Sequence, residues 1–406
     1  MTTHDPANPP THFTGELKDW IYQLLRWLFR VRTQLTVRGS RALRRATQPD
    51  RHDLAPGSES SSQALATLFL YSPYQRPYLL HLAESMKALG NVQVRSYDML
   101  NKDESYLSRK LNEARNHGIG FHAFPFHTSE FPGTLHHVLV KHGLDSGKYD
   151  DLGTYCYGPG RTLDKRGRRL YDFILTSSPW TQALGIEEVP AYRERLLLCG
   201  DWRADAVISA GREPARQRAA LGIPAQANVV GIGSTHGPYS AFHRYGDQLF
   251  ELIAASDDET VFLIFFHEYE RAQQKDLYDA LCRYSRQNRR VRIVANEEFV
   301  SSLAACDLLI SDAGSTSLYY ALLGRPMAYL PLDHTSMLPD YPIMTLYPHV
   351  HNVDSLMDSA PLIRALHSSS GSLLSPPDWF IERLYPKGSN FADLSQQALR
   401  TLFATI

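Results

Sequence analysis

The sequence predicts an α/β protein made of two doubly wound domains in tandem, preceded by an amphipathic helical extension. Three observations predict it. Short apolar runs alternate with helix-length segments from residue 65 to 198, and such alternation implies a parallel sheet covered on both faces. A second series of the same kind runs from 229 to 330. The stretch between them, 203–224, contains a helix and is mixed in composition, as an interdomain hinge would be. The resulting division is 1–62 for the basic helix and linker, 63–205 for the first domain, 225–375 for the second and 376–406 for a C-terminal helical segment.

Taken in order, residues 1–14 read as disordered. Trp20, Ile21, Leu24, Leu25, Trp27, Leu28 and Val31 then recur at helical spacing on one face. Arg32, Arg38, Arg41, Arg44 and Arg45 follow, with no acid between Asp19 and Asp50. A tryptophan-bearing, arginine-rich amphipathic helix suits an anionic membrane surface, so residues 17–45 are expected to seek one. Docking on the body of the protein and an organelle presequence are the competing readings. Residues 48–62, rich in Pro, Gly, Ser and Asp, form a linker.

In the first domain strands are expected at 65–71, 92–97, 119–126, 136–141, 173–176 and 196–198, and helices at 77–89, 104–117 and 179–184. In the second, strands are expected at 229–232, 261–266, 291–294, 308–310 and 327–330, with helices near 245–255, 273–287, 299–305 and 315–323. Residues beyond Pro331 read as loop to about residue 377, and 394–403 as a closing helix.

Composition narrows the function. A chain of 406 residues is long enough for two full cores. A formal net charge of −1 argues against a general nucleic-acid binder, and no nucleic-acid partner is expected. Cys156, Cys199, Cys282 and Cys306 are scattered without CxxC or zinc spacing, which reads as reduced thiols in a cytosolic protein. No apolar run approaches a membrane span, and the polar, proline-containing start does not read as a signal peptide. No cofactor is expected, and no metal. Alternation places His136 and His142 on one strand face, too far apart to share an ion.

The chain is organised around residues 307–330. An apolar strand leads through Asp312-Ala313-Gly314 into a helix opened by Ser315, Thr316 and Ser317, which Gly324 stops before Arg325-Pro326 and a further strand. Unpaired N–H groups at such a helix start, with hydroxyls beside them, suit a phosphate. A lone turn of this type more often holds only a capping hydroxyl. Here two further loops follow strands at the same sheet edge, Gly233-Ser234-Thr235-His236 and His267-Glu268, and ligands of such sheets bind beyond the carboxyl ends of the strands. Gly233, Ser234, Thr235, His267, Glu268, Asp312, Gly314, Ser315 and Thr316 are therefore expected to surround a diphosphate held by helix ends and hydrogen bonds. There is no GxxxxGK[ST] loop and no DxD cluster. In the first domain a strand ends in His142-Gly143, where the glycine leaves room for a substrate and the histidine is a candidate general base. A hydrogen-bonded histidine ending its strand is the plain alternative.

Together these landmarks resemble the CDP-glycerol glycerophosphotransferase family, which includes the teichoic-acid primases and polymerases, over residues 136–333. The carrying residues are Lys141-His142-Gly143 with Lys148 beyond, and the strand Asp172-Phe173-Ile174-Leu175-Thr176 entering Ser177-Ser178. To these are added the Gly-x-x-Arg-x-Asp element Gly200 to Asp205, the strand ending at His267, and Asp307 to Ala321 followed by Arg325-Pro326. The resemblance implies two Rossmann-like domains in a GT-B arrangement, acceptor domain first and nucleotide domain second. It implies an acceptor hydroxyl deprotonated by His142, with Gly143 and Lys148 on the acceptor side and Arg203 on the donor side. That hydroxyl attacks the phosphorus bearing glycerol and CMP leaves. CDP-glycerol or a related nucleotide is the implied donor, a lipid-linked or polymer chain the acceptor, and the inner face of the cell membrane the place of work. Some positions depart from the family pattern. Gly233-Ser234-Thr235-His236 replaces Pro-Thr-x-Arg, Gly314 stands for the first serine of a pair, and Tyr319 or Tyr320 stands where an acid is usual. A GT-B glycosyltransferase using a nucleotide sugar and a non-catalytic glycan-assembly factor are the two alternative readings.

Overall fold

The computed structural model describes residues 64–70, 76–98, 118–123, 136–141, 143–147, 158–164, 166–237, 240–331, 337–366 and 373–406. Residues 62–406 form one compact unit. The helices expected over 17–45 and 104–117, together with His142, Lys148 and Cys156, lie outside the described residues.

The first sheet contains β1 (Ala64–Leu70), β2 (Val92–Asp98), β3 (Ile119–His122), β4 (His136–Val140), β5 (Phe173–Thr176) and β6 (Leu196–Leu198). Their spatial order is β2-β1-β3-β4-β5-β6, with every neighbouring pair parallel. A strand inside a parallel sheet has both faces covered, so it reads as a continuous apolar run. β5, Phe-Ile-Leu-Thr, is buried at all four positions, as is Val138–Val140 of β4. Helix α1 (Arg76–Lys87) follows β1 and buries Leu79, Leu82 and Met86 against this sheet. Helix α2 (Pro179–Glu188) follows β5, capped by the Ser178 side chain with Pro179 at the first helical position.

The link between the sheets is a pair of helices, α3 (Trp202–Gly211), capped by Asp201, and α4 (Pro214–Ala220). The second sheet contains β7 (Asn228–Gly233), β8 (Thr260–Phe265), β9 (Val291–Ile293), β10 (Leu308–Ser311), β11 (Met327–Tyr329) and β12 (His351–Asn352). Its order, β12-β11-β10-β7-β8-β9, is all parallel. The strand order reverses direction between β7 and β10, and that is where a doubly wound sheet opens a crevice for ligands. Ser311 of β10 lies in register with Gly233 of β7 at this edge.

Several boundaries differ from the sequence reading. The helix expected near 245–255 is two, α5 (Ala241–Tyr245) and α6 (Gln248–Ala255), separated at Gly246-Asp247. The one expected over 273–287 is found as α8 (Lys275–Gln287), preceded by a short helix the sequence did not announce, α7 (Glu268–Gln273). Helix α9 (Phe299–Ala305) and helix α10 (Ser315–Ala321) start where expected. The stretch read as loop beyond Pro331 instead carries α11 (Pro342–Leu346), strand β12 and α12 (Ala360–Ala365), and α13 (Asp378–Leu384) follows it. These pieces are of two to seven residues, too short for a 3.6-residue period to show. Their stability comes from burial of Ile343, Leu346, Ile363 and Phe380 in the core.

The two sheets share apolar packing. One core cluster runs from Leu144, Trp180, Ala204 and Val207 on the first side to Leu318, Tyr319, Ile343 and Phe380 on the second. The last helix, α14 (Phe391–Thr405), returns to the first sheet and buries Ala398, Leu399 and Leu402 beside Leu79, Leu82 and Met86. Ser395 Oγ and Ser85 Oγ pair at 2.7 Å across that contact.

Candidate functional site

The crevice between β7 and β10 is held together by one carboxylate. Asp312, the residue after β10, is fully buried. Its Oδ1 and Oδ2 accept from the Thr235 N–H at 2.8 and 2.9 Å. Oδ2 also accepts from Ser234 Oγ at 3.1 Å and from the Ala241 N–H at 2.9 Å, and Oδ1 from the Gly314 N–H at 3.2 Å. The loop after β7 and the turn after β10 are thus one hydrogen-bonded body. Asp312, expected to line the site, lies beneath it, where a buried acceptor satisfies several otherwise orphaned donors. Ser234 and Thr235 are buried beside it.

Gly233 makes this closeness possible. A Cβ there would lie 3.0 Å from Ser311 Oγ and 3.3 Å from Thr316 Cγ2. Gly314 takes the N-cap position of α10, with no side-chain cap, and Ser317 Oγ donates back to the Asp312 carbonyl at 2.6 Å. Neither Ser315 nor Thr316 is the cap. Ser315 is exposed and Thr316 half-buried, so both hydroxyls stand at the rim of the crevice.

His267 lies at the N-cap of α7, where its Nδ1 accepts from the Tyr269 N–H at 3.3 Å. That bond places the proton of the neutral ring on Nε2. The ring stacks on His236 at 4.3 Å between centroids with 29° between planes, so the loops after β7 and β8 meet through two imidazoles. Glu268 follows directly, with Oε2 buried and without a hydrogen-bond partner. The structure therefore brings Gly233, Ser234, Thr235, His267, Glu268, Asp312, Gly314, Ser315 and Thr316 to a single sheet edge.

On the first sheet, the loop after β4 carries Gly143 and Leu144, both buried. Lys141, just before it, pairs through Nζ with Asp145 Oδ2 at 3.2 Å, and Asp145 Oδ1 accepts from the Gly147 N–H at 3.0 Å. The second half of the molecule closes over this loop. Leu338 N–H donates to the Gly147 carbonyl at 2.9 Å, and a Cβ on Gly147 would fall 2.2 Å from Tyr341 Cγ. Tyr341 Oη in turn donates to Glu188 Oε2 at 3.2 Å. Burial raises the Glu188 carboxyl above its usual range, against the opposing pull of Lys141. Leu144 N–H donates to Tyr319 Oη at 3.3 Å. The loop after β4 and helix α10 are therefore in direct contact.

Arg203 lies at the same junction. Its guanidinium stands 5.0 Å from the Tyr78 ring, 5.3 Å from Trp202, 5.1 Å from Phe299 and 5.7 Å from Tyr319. An arginine held in an aromatic cage keeps a fixed direction with its charge intact. Asp201 beside it is buried, and desolvation raises its carboxyl while Tyr319 and Arg203 oppose the shift. Asp205, the last residue of the Gly-x-x-Arg-x-Asp element, anchors the C-terminal segment: it accepts from Tyr385 Oη at 2.6 Å and from the Phe391 N–H at 2.5 Å.

The residues that sequence reasoning did not assign are Tyr78, Asp201, Tyr319 and Tyr341. Asp201 and Tyr319 fall within quoted segments, yet none of the four was given a role, because each acts on a partner more than a hundred residues away. The one available signal was the replacement of an acid by tyrosine at 319 or 320. Among the described residues no group of three or more His, Cys, Asp or Glu side chains is arranged to hold a metal. Nor is any described helix long and apolar enough to cross a membrane.

The model of the family described as CDP-Glycerol:Poly(glycerophosphate) glycerophosphotransferase matches residues 130–337, half of the chain. Among solved structures, a histidine variant of the wall teichoic acid polymerase TagF aligns over 85% of this chain and 90% of its own, with 15% identity and a TM-score of 0.56. The same variant soaked with CDPG aligns over 95% and 98%, with 14% identity and a TM-score of 0.55. Anabaena Alr3699/HepE in complex with UDP and glucose aligns over 84% and 100%, with 13% identity and a TM-score of 0.48. At these identities the likeness to the polymerase is one of fold. No curated protein sequence matches the chain.

Proposed function

Since the chain belongs to the CDP-glycerol:poly(glycerophosphate) glycerophosphotransferase family and is a transferase, we propose that it moves glycerol phosphate, or a similar polyol phosphate, from a CDP-activated donor to a hydroxyl of a surface-glycan or lipid-linked acceptor. The observation that carries this reading is the content of the matched segment. Residues 130–337 include both the loop after β4 and the turn before α10, the two pieces that meet at Leu144 and Tyr319.

In this reading the donor diphosphate lies along the crevice between β7 and β10. Backbone N–H groups near Gly314, the hydroxyls of Ser315 and Thr316 and the Nε2–H of His267 face its oxygens. Arg203 supplies the fixed positive charge from the first sheet. His142, between Lys141 and Gly143, takes the proton from the acceptor hydroxyl. The resulting oxygen bonds to the phosphorus that bears glycerol, and the bond from that phosphorus to the oxygen of CMP breaks. The products are the glycerophosphorylated acceptor, CMP and protonated His142. Lys148 lies on the acceptor side. Fixed N–H donors and the caged arginine stabilise phosphate charge as it shifts, at no reorganisation cost. Residues 17–45 would bring the enzyme to an anionic membrane surface, at the inner face of the cell membrane. Deleting them should abolish cosedimentation with anionic vesicles, and unchanged pelleting would exclude that role.

The test combines binding with turnover. CDP-glycerol should bind in calorimetry in preference to CDP-ribitol, UDP-GlcNAc and UDP-glucose, and Ser315→Ala/Thr316→Ala should weaken it. His142→Ala should keep donor binding and lose transfer by about a hundred- to ten-thousand-fold. Preference for a UDP-sugar would move the protein to the glycosyltransferases. Undiminished transfer by His142→Ala would remove the general base.

A further inference from the structure

Four segments far apart in the chain meet at one buried phenol. Tyr319, on α10, is fully buried, and its hydroxyl donates to Asp201 Oδ2 at 2.7 Å. With its proton placed there, the oxygen only accepts from its other neighbours. It accepts from the Leu144 N–H at 3.3 Å and pairs with the Tyr78 hydroxyl, which also reaches Asp201. A phenol oxygen that donates once and accepts twice is saturated. Its partners all belong to the first sheet: Tyr78 on α1 after β1, Leu144 on the loop after β4, and Asp201 at the cap of α3 after β6. Asp201 is itself immobile, because its Oδ1 accepts from the Arg203 N–H at 2.8 Å and the Ala204 N–H at 3.3 Å. The loop is shaped to this contact. Gly143 has φ of +81°, and a Cβ on it would lie 2.9 Å from Tyr78 Oη and 3.0 Å from Tyr319 Oη.

We propose that Tyr319 is a positioning residue, whose hydroxyl sets the loop after β4, and with it the acceptor side of the site, against the donor-side helix α10. It is fully buried, so it acts through the loop that it holds. Removing its Oη alone leaves the Leu144 N–H, the Tyr78 O–H and one oxygen of Asp201 without this partner. A buried N–H left unmatched is costly, so the loop carrying Leu144 shifts to find another partner. Transfer needs the reacting atoms about 3–3.5 Å apart, so a small shift of the loop acts on kcat more than on donor binding. The kinetic part of this inference rests on the proposed transferase reading, whereas the structural part does not.

The experiment compares Tyr319→Phe, Tyr78→Phe and Tyr320→Phe in the full chain. Tyr320 is the next residue on α10, equally buried, with its hydroxyl 3.4 Å from the Cys306 carbonyl and outside this network. Two quantities are read: hydrogen exchange at the Leu144 amide, and kcat and donor KM with CDP-glycerol. In Tyr319→Phe the amide should exchange about tenfold faster or more, and kcat should fall about tenfold or more with donor KM within about twofold. Tyr320→Phe should match the unsubstituted chain in both. If Tyr319→Phe does not fold, Tyr78→Phe is read in its place, with a smaller change in the same direction. Absence of any transfer by the unsubstituted chain would reject the transferase reading, and the exchange comparison would still decide whether Tyr319 holds the loop. Equal exchange at Leu144 in Tyr319→Phe and Tyr320→Phe overturns the proposal, as does faster exchange with unchanged kcat in an active enzyme.

Discussion

The two edges that form the site are braced in opposite ways. The donor-side edge braces itself, since Asp312 after β10 takes its donors from the loop after β7, from Ala241 and from its own turn, all within the second sheet. The acceptor-side loop, 143–147, is braced partly from the other half of the molecule, by Tyr319, Leu338 and Tyr341. Its local contacts are the Lys141–Asp145 pair and the Gly147 N–H donating to Asp145 Oδ1. A site half that carries its own brace is preorganised whatever its partner does. A half held across the junction is set by how the two sheets meet. In the proposed transfer reaction that difference would separate the two substrates: the donor would enter a finished crevice, while placement of the acceptor would depend on the contact between halves.

Three substitutions sharpen or break this contrast, and they are ordered by expected effect. Asp312→Ala removes the acceptor from at least four buried donors, Ser234 Oγ and the N–H groups of Thr235, Ala241 and Gly314. It should cost about 3 kcal/mol or more in stability, read as a lower urea midpoint. A loss under about 1 kcal/mol would mean that the crevice does not depend on its central carboxylate.

Gly143→Ala comes next. It combines an unfavourable left-handed φ with a Cβ at about contact-violating range of two phenol oxygens. It should cost about 1–3 kcal/mol, and its effect on transfer should exceed its effect on donor binding by calorimetry. Equal losses in both would show that the acceptor loop is not separable from the donor crevice.

Gly388→Ala is the smallest of the three. Its φ is +84°, but nothing lies within 4 Å of the added Cβ. It should cost only the backbone strain, about 1 kcal/mol, and leave kcat unchanged. If Gly388→Ala were as harmful to transfer as Gly143→Ala, the phenol contacts around Gly143 would lose their special standing.

The strands of both sheets other than β12 were legible because an interior parallel strand must bury both faces. β8, Thr-Val-Phe-Leu-Ile-Phe, announces this directly and is buried at all six positions. The placement of the loops after β7, β8 and β10 was legible for a related reason: each follows such a strand, so the sheet edge gathers them once the strands are counted. The short helices after Pro331 were not legible, since Pro342–Leu346 and Ala360–Ala365 are barely more than one turn each and gain their order from tertiary burial. Asp312 was legible as part of the site but not as its brace, because only the fold reveals that its partners lie 71 to 78 residues away.

By itself, the sequence determined the parallel-sheet architecture, the alternation that builds it and the residues at the carboxyl ends of the strands, because these follow from local pattern and covalent order. Only the tertiary structure decided which of those residues are buried supports and which stand at the rim. It alone joined Tyr78 to Tyr319 across 241 residues and Asp201 to Tyr319 across 118. The physical reason is that a hydrogen bond is specified by distance and direction between two groups, and no periodicity along the chain encodes the distance between groups on different sheets.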